Sequence, residues 1–209
     1  MNSELIKRIL SSVCLIPLVL FFIIKGGFFF NFFILICLLI SIIEWNTMTK
    51  NKKYKIPGII FLIFSFYSAY YMRNEMYDDY LYFILILFIC IFTDIGGYVF
   101  GKIFKGPKLT KISPNKTYSG VLGSFVFSII FGSLYIFYLK ISLNFEINYF
   151  IVIIVVSLTS QIGDLIISLF KRKAKIKDTG SILPGHGGIL DRIDGILLAL
   201  PIGLLLISI

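Results

Sequence analysis

The sequence predicts an all-α fold, a polytopic membrane bundle of about seven transmembrane helices with a cytoplasmic N-terminus. Three observations carry that prediction. Of the 209 residues, 58% are hydrophobic and 15% charged, with mean hydropathy +0.94, whereas a soluble domain carries roughly 25% charged residues. A single domain of this size cannot enclose so much apolar surface, so the rest must face lipid. The apolar residues fall into seven long runs, too uniformly apolar for the alternating strands of a barrel and long enough for helices that satisfy their own backbone in lipid. Finally, with the N-terminus inside, 17 of the 20 Lys and Arg residues fall in inner segments and three outside, as the positive-inside rule requires.

The first run, Ile9 to Ile24, follows Lys7 and Arg8. That opening also suits a signal peptide, but it passes through Gly26 and Gly27 into the next run with no A-x-A-like cleavage site, and reads as a retained span. The second, Phe28 to Ile43, ends at Glu44, read as an interfacial acid, and Trp45, read as a headgroup-level anchor. Lys50, Lys52, Lys53 and Lys55 precede the third run, Ile56 to Met72. Around the outer loop from Arg73 to Asp79 stand Tyr70, Tyr71, Tyr77, Tyr80 and Tyr82, also read as anchors. The fourth run, Tyr80 to Phe100, leads into an inner loop, Gly101 to Ser119, with five lysines. The fifth and sixth, Gly120 to Leu139 and Tyr149 to Phe170, precede a basic segment, and the seventh is Ile193 to Ile209. Cys14, Cys37 and Cys90 lie inside apolar runs without ligand spacing, so packing is their expected role. Internal repeats and composition shifts are absent, which predicts one domain over 1–209 with its chemistry in about 90–209. The net charge of +9 reflects the inner loops, and nucleic acid is not the expected partner.

Polar residues gather in two inner regions. The first runs from Asp94-Ile95-Gly96-Gly97 through Lys116; an acid inside a span, followed by glycines that admit a ligand, suits a pocket wall. A pairing of Asp94 with a nearby lysine explains it equally well. The second holds Gly163-Asp164, Ser168, Lys171, Arg172, Lys177, Asp178, Gly180, Gly185 to Gly188, Asp191, Arg192 and Asp194. Asp191 and Asp194 are three apart, so a helix starting near Gly188 puts both on one face. Asp164, inside the sixth run, needs a partner for its charge, and a divalent metal held with Asp191 would supply one. Oxygen ligands point to Mg²⁺ or Mn²⁺, with substrate phosphates completing the shell; salt bridges to the neighbouring bases are the competing explanation. Five basic residues within 171–177 suit a triphosphate or pyrophosphate. Gly185, Gly187 and Gly188 would let amides close on phosphate at a helix N-terminus. His186, the sole histidine, reads as a phosphate donor or loop organiser.

These residues are similar to the phosphatidate cytidylyltransferase (CDP-diacylglycerol synthase) family. The resemblance rests on Ser168-x-x-Lys171-Arg172-x4-Lys177-Asp178-x-Gly180-x-x-Leu183-Pro184-x-His186-Gly187-Gly188-Ile189-x-Asp191-Arg192-Ile193-Asp194. It extends to Asp94 to Tyr98 and Ile112-Ser113-Pro114-Asn115-Lys116-Thr117. It implies cytidylyl transfer from CTP to phosphatidate in phospholipid synthesis, with Mg²⁺ required, in a bacterial cytoplasmic membrane. It further implies metal ligation by Asp164 and Asp191 with Asp194 assisting, and catalytic phosphate contacts from Lys171 and Arg172. Substrate contacts would come from Ser113, Lys116, Ser168, Lys177, His186, Gly187, Gly188 and Arg192, and the assembly would be a homodimer. Family members commonly have more helices before the Asp94 stretch, and Ser119 stands where an acid is often found. Another CTP-dependent lipid-phosphate enzyme is the nearest alternative. A cation or phosphate transporter is a more distant one, since the acids cluster at inner ends of spans and do not continue across the membrane.

Overall fold

The computed structural model describes residues 3–50, 52–76, 80–139, 148–182 and 187–208, with side chains omitted for 3–12 and 14. Seven α-helices account for most of them: α1 Ser3–Lys25, α2 Gly27–Met48, α3 Lys55–Asn74, α4 Leu81–Phe104, α5 Tyr118–Leu139, α6 Tyr149–Lys173 and α7 Leu190–Ser208. Each coincides with one predicted run. Helices α2 to α6 are long and apolar enough to cross a membrane. Helix α7 carries Asp191, Arg192 and Asp194 in its first five positions, and the described apolar part of α1 runs from Leu15 to Lys25. Among the described residues no strand forms, and Lys108 and Thr117 make an isolated antiparallel bridge.

The chain forms two compact units, Met1–Tyr80 with Phe170–Ile193, and Leu81–Leu169 with Asp194–Ile209. In the first unit, α1 stops at Gly26, whose φ of 63° suits glycine. Arg73 of α3, 8% exposed, donates from Nε to the Ile23 carbonyl (2.5 Å) and from a terminal nitrogen to that of Ile24 (3.2 Å). A cation thus occupies the negative end of the α1 dipole, and a side chain at position 26 would strike the guanidinium. Trp45 is 3% exposed, correcting its reading as a headgroup anchor. Its Nε1 donates to the Lys55 carbonyl (3.0 Å), and its ring meets Phe170 edge-on at 5.0 Å. The indole N–H finds a partner inside the α2–α3 corner, so the ring packs there. Tyr82 is likewise buried, Tyr80 lies under the Arg73 guanidinium, and Tyr77 lies outside the described residues.

In the second unit, α4 and α5 make the most extensive helix pairing. A Cβ at Gly96 would collide with the Gly123 carbonyl, and one at Gly123 with the Phe100 side chain. Small residues let these backbones approach, as membrane helices do in the absence of a hydrophobic drive between them. Buried hydroxyls tie the layers: Thr93 bonds Ser157 (2.8 Å), and Ser124 donates to the Thr93 carbonyl (2.8 Å). Gly163 does the same service for α6 and α7, since a Cβ there would lie 2.8 Å from the Asp194 carbonyl. Cys90 is buried, in keeping with its expected packing role.

Candidate active site

The loop between α4 and α5 is folded, although its sequence is mostly polar. Gly106 takes φ 108°, turning the chain back; Leu109 N–H then donates to the Lys116 carbonyl (2.8 Å) and Lys116 N–H to that of Ser113 (3.1 Å). Thr117 caps α5, its Oγ1 accepting the Gly120 N–H at 3.1 Å. Ser119 donates to the Lys105 carbonyl. This arrangement presents Ser113, Asn115, Lys116 and Thr117 to a cavity of about 320 Å³, whose remaining walls include Asp94, Gly97 and Tyr98 of α4, Gly120 of α5, and Gln161 and Asp164 of α6. The close α4–α5 approach forms the floor beside which this cavity opens.

Inside it, Lys116 Nζ lies 2.5 Å from Asp164 Oδ2, and Ser168 Oγ donates to Oδ1 at 3.1 Å. Ser168 stands one helical turn after Asp164, so the two share a face of α6. Four of the expected site residues, Ser113, Lys116, Asp164 and Ser168, are therefore brought together. Their companions Asp94, Asn115 and Gln161 extend the donor set with carboxylate and amide oxygens. Gln161 was legible as the residue three before Asp164 on the same face; Asp94 was already marked by the glycines after it. The Asp194 backbone lies beside Gly163, next to Asp164, and Asp194 Oδ1 accepts the Gly195 N–H (2.8 Å). Such a set fits a hard divalent cation, which typically takes one or two carboxylates and completes its shell with water and phosphate oxygens.

The other expected residues lie in the first unit. Asp191 in the first turn of α7 receives the Lys171 ammonium on Oδ1 (2.9 Å) and two backbone N–H groups on Oδ2, Thr179 at 2.7 Å and Gly188 at 3.0 Å. Burial opposes its ionisation, yet the Lys171 ammonium and these N–H donors hold its carboxyl below the ordinary carboxylate range. The Gly188 N–H is thereby engaged by Asp191, whereas the sequence suggested phosphate for it. Gly187 adopts φ 84°, a conformation that glycine allows. Arg172, Lys177 and Arg192 are exposed. Gly185 and His186 lie outside the described residues. Glu44 corrects its reading as an interfacial acid: it is 3% exposed and accepts from Thr179 Oγ1 (2.9 Å), Ile189 N (3.0 Å) and Leu190 N (2.9 Å). No local sequence signal distinguishes this residue, because all its partners lie more than 130 positions away.

The profile of the cytidylyltransferase family matches residues 6–81 and, overlapping these, 59–209. The chain belongs to the cytidylyltransferase family. Among the relatives, a phosphatidate cytidylyltransferase of Rickettsia bellii (strain RML369-C) is 34% identical over 213 aligned positions, covering 96% of this chain and 90% of that protein. One of Rickettsia felis (strain ATCC VR-1525 / URRWXCal2) is 35% identical with 96% and 91% coverage. One of Staphylococcus haemolyticus (strain JCSC1435) is 37% identical over 175 residues, 80% of this chain and 66% of its own length. The chain thus spans about two thirds of the staphylococcal relative's length and about nine tenths of that of the rickettsial ones.

Proposed function

We propose that this protein transfers the cytidylyl group of CTP to phosphatidate, giving CDP-diacylglycerol and pyrophosphate for phospholipid synthesis. The observation that carries the reading is the alignment of 96% of the chain with phosphatidate cytidylyltransferases; the charged cavity in an otherwise apolar bundle supports it. A phosphatidate oxygen attacks the α-phosphorus of CTP in line with the departing pyrophosphate. That oxygen is already anionic, so no general base is needed, and catalysis rests on positioning and charge. Lys116 holds a phosphate as a point charge, and Ser113 and Ser168 donate hydrogen bonds to it. Lys171, Arg172, Lys177 and Arg192 hold the triphosphate and the leaving pyrophosphate. Mg²⁺, or Mn²⁺ in its place, would neutralise phosphate charge when bound, and the carboxylates of the second unit that would hold it are Asp164 and Asp194, whereas Asp191 is engaged by Lys171 and two backbone N–H groups in the first. The placement of 17 basic residues in inner segments supports a site on the cytoplasmic face, where CTP is available, and the family resemblance supports a homodimer.

The test is direct. Purified protein in detergent, given phosphatidate, Mg²⁺ and CTP labelled at the α-phosphorus, should move label into lipid without any membrane gradient. A folded protein that leaves all label in the aqueous phase would exclude phosphatidate as substrate, and competition by other lipid phosphates would then find the acceptor.

A further inference from the structure

We propose that Glu44, contributed by α2, is a positioning residue for the segment that carries Asp191 and Lys171; the catalytic consequence rests on the function proposed above. Two acids divide the polar groups at the start of α7. Asp191 accepts the Gly188 N–H, and Glu44 accepts those of Ile189 and Leu190. The first N–H groups of a helix have no partner within it, and here those of Gly188 and Ile189 just before α7 and of Leu190 at its start are met by carboxylates. Thr179 joins the two acids, its N–H donating to Asp191 Oδ2 at 2.7 Å and its hydroxyl to Glu44 Oε2 at 2.9 Å. The carboxylate of Glu44 is thus one residue removed from that of Asp191.

The glycines agree with this assignment. A Cβ at Gly180 would lie 2.7 Å from Glu44 Oε1, and one at Gly188 would collide with both Glu44 Oε2 and Thr179 Oγ1. The glycines around this segment make room for a buried acid, which is a role separate from admitting phosphate. A carboxylate buried to this degree is tolerated because three donors converge on it. Each such charge-assisted bond contributes more than a neutral one. Nothing in this set places Glu44 against substrate; its effect on turnover passes through the placement of Asp191 and Lys171.

Glu44→Ala, Glu44→Gln and Thr179→Val separate positioning from general stability. The protein in detergent is followed by hydrogen exchange of the amides in 187–192, by circular dichroism, and by kcat and KM for CTP. Glu44→Ala should speed exchange of the Ile189 and Leu190 amides roughly tenfold or more and lower kcat by about the same factor, while KM changes less than threefold and helix content stays. Glu44→Gln keeps one acceptor oxygen and should fall between wild type and Glu44→Ala. Should Glu44→Ala fail to fold, Thr179→Val still removes a single donor, and must raise exchange and lower kcat in the same direction, by roughly threefold. Unchanged exchange in folded Glu44 and Thr179 variants would overturn the proposal, as would faster exchange with wild-type kcat. A wild-type protein inactive on CTP and phosphatidate overturns the function instead, and leaves the exchange test of Glu44 standing.

Discussion

In the cavity of the second unit the side chains of Lys116 and Asp164 are 27% and 26% exposed; in the first unit those of Lys171 and Asp191 are 12% and 3% exposed. The two pairs have the same chemistry and different surroundings. Asp164 meets a lysine and a hydroxyl beside open volume, whereas Asp191 meets a lysine and two backbone N–H groups that belong to the segment it orders. A partly exposed pair with room around it can exchange its partner for a ligand more cheaply than a buried one. A buried pair cannot lose a partner without leaving an uncompensated charge. On the function proposed above, the cavity pair would exchange partners with substrate, while the segment around Asp191 would keep its ion pair and present the neighbouring bases in a fixed arrangement.

Substitutions that act on only one region sharpen this contrast. Asp164→Asn should give the largest effect on turnover, roughly a hundred- to a thousandfold loss of the kind seen when preorganised charge is removed, with the melting temperature in detergent nearly unchanged. Lys171→Met should behave differently: it strands Asp191, and stability should fall by about 3 kcal/mol, read as a lower melting temperature alongside lost activity. Equal destabilisation by Asp164→Asn and Lys171→Met would remove the distinction between the regions.

Gly96→Leu should break the cavity by another route. Its side chain has no space against the Gly123 carbonyl and Phe127, and overpacking of this kind costs about 1–3 kcal/mol. Circular dichroism melting would show the loss, and activity should fall as α4 and α5 separate. The smallest effect belongs to Lys177→Ala. Lys177 is exposed, so its removal should leave the melting temperature unchanged and raise KM for CTP a few-fold, an effect that added salt should diminish as it screens the surface charge.

Much of this architecture was legible before any coordinates. Apolar run length marked all seven helices, because lipid forces each segment to satisfy its own backbone, although α1 begins at Ser3, ahead of its run at Ile9, and α2 continues past Ile43 to Met48. Of the cavity group, Asp164 was accessible because an acid inside an apolar run needs a partner, whereas Ser113, Lys116 and Ser168 were marked by the family resemblance of the motifs that contain them. What stayed hidden depends on distant pairing. Trp45 has the composition of an interfacial anchor, and only the approach of Lys55 and Phe170 makes it a packing residue. Glu44 reads as an end-of-span acid until the donors of residues 179–190 are folded onto it. The Gly188 amide looked suited to phosphate, and its engagement by Asp191 follows from the start of α7 at Leu190.

The division between a reacting cavity and a built loop is tested most directly by measuring turnover and thermal unfolding on one preparation of Asp164→Asn. Labelled CTP, phosphatidate and Mg²⁺ report the first, and melting in the same detergent reports the second. The account predicts that label transfer to lipid is lost, as it is for wild type with EDTA, while the unfolding curve overlays that of wild type. Retained transfer, or a loss that comes with an unfolded protein, would contradict it.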